Sequence, residues 1–229
     1  MMNAVKKNTY ALSLLVITST AVMAESIEVR VIGTITPAAC KLTLSGGGAI
    51  DYGTITAGSL KQDKLNLLEN KQLDFAITCD APAKVALRGI NGRPNTAAGT
   101  TEIGLFSGII PDGIPNANGN WVVGLGLNEG KRIGGYNIAL KEVLVDGKAV
   151  DYIFQREGNK NWENQKAINF NWNQQVLHSW SQPGTLTPTA FTNLAGKLNV
   201  QAYINKVSEL NLTKPIKLDG LTTVELLYL

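Results

Sequence analysis

Few side chains in this 229-residue sequence have the types and spacing for chemistry. There is one histidine, His178, and there are two cysteines, Cys40 and Cys79. Glu157, Glu163 and His178 are types used in acid–base catalysis, but no fixed spacing joins them and no nucleophile or metal motif accompanies them. Charged residues in a polar stretch are usually solvated surface, so no enzymatic activity is expected. No metal or other cofactor is expected either: one histidine cannot supply a ligand cluster, and no CxxC pair occurs. The stretch 159–182 is dense in Asn, Gln and Trp and carries Trp162, Trp172 and Trp180. Planar amides beside exposed indoles suit a sugar-binding surface. The plainer alternative is a long polar hairpin whose tryptophans cover the edge of a core.

How the cysteines are read depends on compartment. Residues 1–24 begin with a basic pair, Lys6 and Lys7, continue into the apolar run Tyr10-Ala-Leu-Ser-Leu-Leu-Val-Ile17 and close on Ala21-Val-Met-Ala24. The run is about half of the ~20 residues that a membrane-spanning helix needs. The small-residue close predicts a signal peptide over 1–24 and a mature chain from Glu25; the alternative is an anchor that stays attached. In an oxidising compartment an even pair of cysteines predicts one structural disulfide, Cys40–Cys79. Closing that loop is worth roughly 4 kcal/mol in the chain-entropy model.

The elements that must position these residues are strands. The sequence is 44% hydrophobic and 17% charged with 23 glycines, a balance that favours β-structure with many turns. Formal net charge is +3, and losing Lys6 and Lys7 with the leader lowers it by two, which leaves no electrostatic footprint for nucleic acid. Period-2 alternation runs through 27–36, 73–79, 84–88 after a Pro82 turn, 133–145, 148–154, 198–204 and 221–229. Asp146-Gly147 is a hairpin turn signal between two of them. Only 59–68 looks even weakly helical, and 46–48, 93–101, 111–120 and most of 159–182 read as loops. Short strands at this spacing predict a single antiparallel β-sandwich over 37–229.

Both ends of this sequence are unusual for a self-contained sandwich. An alternating strand lies ahead of the first cysteine and stops at Pro37, and a second runs to Leu229 without a polar tail. Exposed edges recruit other chains, so both ends look built to pair; the alternative is that they pair with each other inside one molecule.

The chain resembles the fimbrial (pilin) subunits of the chaperone–usher pathway. The resemblance rests on Ile27-Glu-Val-Arg-Val-Ile-Gly-Thr-Ile35, Pro37-Ala-Ala-Cys40, Ile50-Asp-Tyr-Gly53, Cys79, and the tail residues Val224, Leu226 and Tyr228. It is nearest to poorly characterised fimbrial-like proteins, and it departs from the common pattern at Ile216, where pilins often carry glycine, and in its long 90–185 region. It implies an all-β, incomplete immunoglobulin-like sandwich with residues 25–36 as an N-terminal donor strand. Ile27, Val29, Val31, Gly33 and Ile35 would then enter a groove on the next subunit, lined by Val224, Leu226 and Tyr228. Implied partners are a periplasmic pilus chaperone, an outer-membrane usher and neighbouring fimbrial subunits, on a Gram-negative cell surface and contributing to cell adhesion. The alternative within the family is a tip or adaptor adhesin that binds a host glycan through 155–182.

Overall fold

Alternation gives each strand one apolar face, and two sheets bury those faces against each other. The computed structural model describes residues 30–33, 38–102, 108–111, 121–170 and 175–229. The chain divides into two units, Met1–Thr36 and Pro37–Leu229. In the first, residues 30–33 form no strand, and Val31 and Ile32 are 96% and 90% exposed. The strand expected across 27–36 is thus not formed in the part that is described. Ile27, Val29 and Ile35 lie outside the described residues, as does the whole of 1–24.

The second unit begins with β1 (Cys40–Leu44), β2 (Asn66–Ala83), β3 (Val85–Asn91), β4 (Val123–Gly124), β5 (Leu127–Asn128) and β6 (Lys131–Arg132). It continues with β7 (Gly134–Val145), β8 (Lys148–Ala149), β9 (Asp151–Arg156), β10 (Glu163–Gln165) and β11 (Ile168–Phe170). Last come β12 (Val176–Ser181), β13 (Phe191–Ile204) and β14 (Thr222–Tyr228). One sheet runs β1-β2-β13-β7-β11, with β4 and β8 beside β7; the other runs β10-β9-β12-β3-β14. All these ladders are antiparallel. The molecule is the all-β sandwich that the alternation predicts. Phe75, Ile77, Leu87, Leu140, Trp180, Phe191 and Leu194 meet in its core.

Three local expectations fail for identifiable reasons. The segment 59–68 is not helical: a 3₁₀ turn at Ala57–Ser59 leads to β2, whose pairing with β13 on one side and β1 on the other outweighs a weak local preference. There is no turn at Pro82, because β2 runs on to Ala83 and the chain changes sheets at Lys84. Within the described part of 159–182, residues 163–165, 168–170 and 176–181 are strand rather than loop, in pieces too short for alternation to register. The Asp146-Gly147 hairpin forms, with both residues at positive φ (47° and 75°), as a two-residue primed turn demands. Its return strand lasts only through β8 before the chain crosses to the other sheet as β9.

Part of the long middle region, around Ala97, Ala98 and Val122, covers the outer face of one sheet. Ala202 and Ile204 belong to the main core, so Tyr203 between them points the other way and packs with Ala97, Ala98 and Val122. Its hydroxyl donates to the Ala98 carbonyl at 2.7 Å. Buried Glu102 holds this cover together by accepting from the Asn91 side chain and from the Asn95 and Ala97 amides. Arg132 completes it by donating to the carbonyls of Ala97 and Thr100.

Candidate functional site: a seam between two edge strands

The candidate site lies where the first strand of one sheet and the last strand of the other run along the same side of the sandwich. Among the described residues, β1 is paired only with β2, and β14 only with β3. The direction of their free peptide groups follows from the register. Leu229 N–H donates to Lys84 O and Gly92 N–H to Leu221 O, so odd-numbered residues of β14 are bonded to β3. The peptide groups of Thr222, Val224, Leu226 and Tyr228 therefore point to the free edge. On β1, Asp80 N–H donates to Ala39 O, so Lys41 and Thr43 face β2 while Cys40, Leu42 and Leu44 face outward.

Side chains repeat the pattern. Val224 and Leu226 on β14 and Leu42 and Leu44 on β1 all pack on the core yet stay half-exposed. Ile50, Tyr52, Ile216 and Leu218 add further half-buried apolar residues packed on the same core. On the other face of β14, Glu225 pairs with Arg88 at 2.7 Å. The seam thus has backbone donors and acceptors along both rims and an incompletely covered apolar lining, which is what an added β-strand requires.

Two tyrosines tie β14 to the opposite sheet. Near its start, the Tyr136 hydroxyl lies 2.8 Å from the Thr222 hydroxyl, and burial pushes the Tyr136 phenol up to about 12. At its end, the Tyr228 hydroxyl accepts the Cys40 N–H at 2.7 Å. Cys40 is itself fixed by the disulfide to Cys79, the residue directly opposite on β2. That bond confirms the pairing expected from the two cysteines.

Tyr52, noticed in sequence only as part of a four-residue motif, has a specific task. Its hydroxyl lies 3.3 Å from Val200 O and 3.2 Å from Ala202 N, beside the register shift between β13 and β2. It replaces ladder bonds that the irregularity interrupts. Lys71 lies 5.2 Å above its ring and donates to Asp51 O. Gly53 takes φ 63° as the Asp51 carboxylate accepts its N–H, a turn that returns the chain from Tyr52.

Of the donor residues, Val31 and Gly33 are described and exposed, and a Cβ at Gly33 would meet nothing within 4 Å. Of the tryptophans, the described ones are not arranged as an exposed pair. Trp180 is fully buried, edge-on to Phe191 with ring centroids 5.9 Å apart, because inward positions of β12 face the core. Trp162 is half-buried, and Trp172 lies outside the described residues. His178 is also a core residue, 3.0 Å from the Gln165 amide and edge-on to Phe170. Burial holds its imidazole down at about 4. Glu157 is exposed, and Glu163 pairs with Arg156 at 3.8 Å.

A family model described as "Protein of unknown function (DUF1120)" matches residues 29–137. The chain is 24% identical over 219 residues to the Escherichia coli K12 "Uncharacterized protein YhcF", covering 89% of this chain and 90% of that one. It is 26% identical over 242 residues to "Protein GltF" of the same strain, covering 96% and 94%. No solved structure matches.

Proposed function

We propose that this chain is a structural subunit of a chaperone–usher fimbria, polymerising by donor-strand exchange. The two-rimmed seam between β1 and β14 carries the reading. Residues 25–36 of one copy add beside β14 of the next, so that the sandwich gains the final strand of an immunoglobulin-like fold. Ile27, Val29, Val31 and Ile35 share one phase of a two-residue repeat, as Val224 and Leu226 do across the seam. Burying these four gives roughly 6–12 kcal/mol before ordering costs. Gly33, in the same phase, suits a point where two backbones approach closely. Before exchange, a periplasmic chaperone lends the strand and an outer-membrane usher receives the subunit. Head-to-tail addition is heterologous and does not close, so its product is a filament. That filament would stand on a Gram-negative cell surface and contribute to adhesion.

The test is to add a peptide of residues 25–36 to the full mature chain. At a peptide concentration about 100 times Kd, the melting temperature is expected to rise by about 5–10 °C. A peptide carrying Val29→Asp and Val31→Asp is expected to give no shift. If the native peptide neither binds nor raises the melting temperature, the seam is not a strand acceptor.

A further inference from the structure

We propose that the Tyr228 hydroxyl is a latch across the seam, holding one of the peptide groups that an incoming strand needs. The proposal rests on the strand-acceptor reading above and adds a control element to it. The Cys40 N–H points out of β1 towards the seam, and Tyr228 Oη accepts it at 2.7 Å. That hydrogen bond links the outermost strands of the two sheets.

Both backbones at the latch are fixed. Cys40 is held by its disulfide and by the β1–β2 register. Tyr228 is held opposite Val85, and the Leu229 N–H beyond it bonds Lys84 O. The soft coordinate is the rotation of the Tyr228 side chain. It contrasts with the other tie on β14, where Tyr136 is only 7% exposed. The Tyr228 side chain belongs to a residue 53% exposed, so its hydroxyl can swing into water and leave the Cys40 amide to another acceptor. A strand filling the seam along its full length must displace the hydroxyl, at the cost of one hydrogen bond.

The experiment compares the full mature chain with Tyr228→Phe, which keeps the ring and removes the acceptor. Tyr228→Met, lacking both ring and hydroxyl, is the second variant should the first fold poorly. Amide hydrogen exchange at Cys40 and the uptake rate of the 25–36 peptide are both measured. We expect Cys40 to exchange faster in the variants and the peptide to be taken up about two- to tenfold faster, the range set by one net hydrogen bond. Uptake at the wild-type rate overturns the latch and leaves the strand-acceptor reading standing. Equal Cys40 exchange in wild type and variant also overturns it. Uptake by none of the proteins overturns the acceptor reading, and the latch with it.

Discussion

Individual residues set the molecule's response to acid. His178 is the sole histidine, and burial alone lowers its imidazole from 6.5 to about 4. The unfolded chain takes up this proton below pH 6.5, whereas the folded chain refuses it until about 4, so stability falls as pH drops through that window. The loss is on the order of 3 kcal/mol by pH 4, from ~1.4 kcal/mol per unit. Urea titrations from pH 7 to 4 should show this slope, and His178→Gln should flatten it; an unchanged slope would place the acid sensitivity elsewhere. The Asp146 and Asp219 carboxyls act in a lower range. Asp146 is held down by the Asn193 amide and the Thr192 hydroxyl, and Asp219 by the Arg93 guanidinium. Both support the fold above the ordinary carboxylate range and lose that support as pH falls through their lowered values.

Among the elements, β14 depends on the geometry that delivers it. Gly220, two residues before the strand, has no room for a side chain: a Cβ there would lie 2.7 Å from Tyr136 Cε1 and 3.0 Å from Leu125 Cδ2. The Tyr136 ring is buried and its hydroxyl is engaged by Thr222, so it yields little. Gly220→Ala should therefore destabilise the sandwich by about 1–3 kcal/mol, read from the urea midpoint. An unchanged midpoint would mean that the ring moves freely. The glycine absent at Ile216 is thus not simply missing; a tight approach exists four residues later. Period-2 alternation made β7 and β14 legible almost in full but β2 and β13 only over 73–79 and 198–204, and the export argument made the disulfide so. Alternation does not say which sheet a strand joins, which is why the crossing between β8 and β9 and the change at Lys84 were not foreseen. Nor does composition distinguish an indole at a ligand from one in the core. Trp180 sits in a polar stretch, yet Tyr152 opposite it and Phe191 against it place it inside. The inward phase of Val224 and Leu226 was readable, but the hydrogen bond from Cys40 to Tyr228, 188 residues apart, was not.

At the scale of the whole molecule, described residues of the middle region form a cover on one sheet, braced by Glu102 over the small apolar cluster of Ala97, Ala98, Val122 and Tyr203. The seam needs only the outermost strands β1 and β14, and it makes no demand on that cover. The disulfide joins these scales. It spans 39 residues of sequence, yet the two strands it links are neighbours in the sheet. Stretched from its two ends, a single molecule should therefore unfold to a shorter length when oxidised than when reduced, by roughly 130 Å at ~3.4 Å per residue. Equal lengths in the two states would mean that the bond does not form. In the fibre proposed above, tension arriving through residues 25–36 would reach the sandwich at Cys40, where β1 is only five residues long and would peel on its own. The covalent link passes that load at once to β2, an 18-residue strand in the body of the sheet, so this short edge strand bears almost none of the pull.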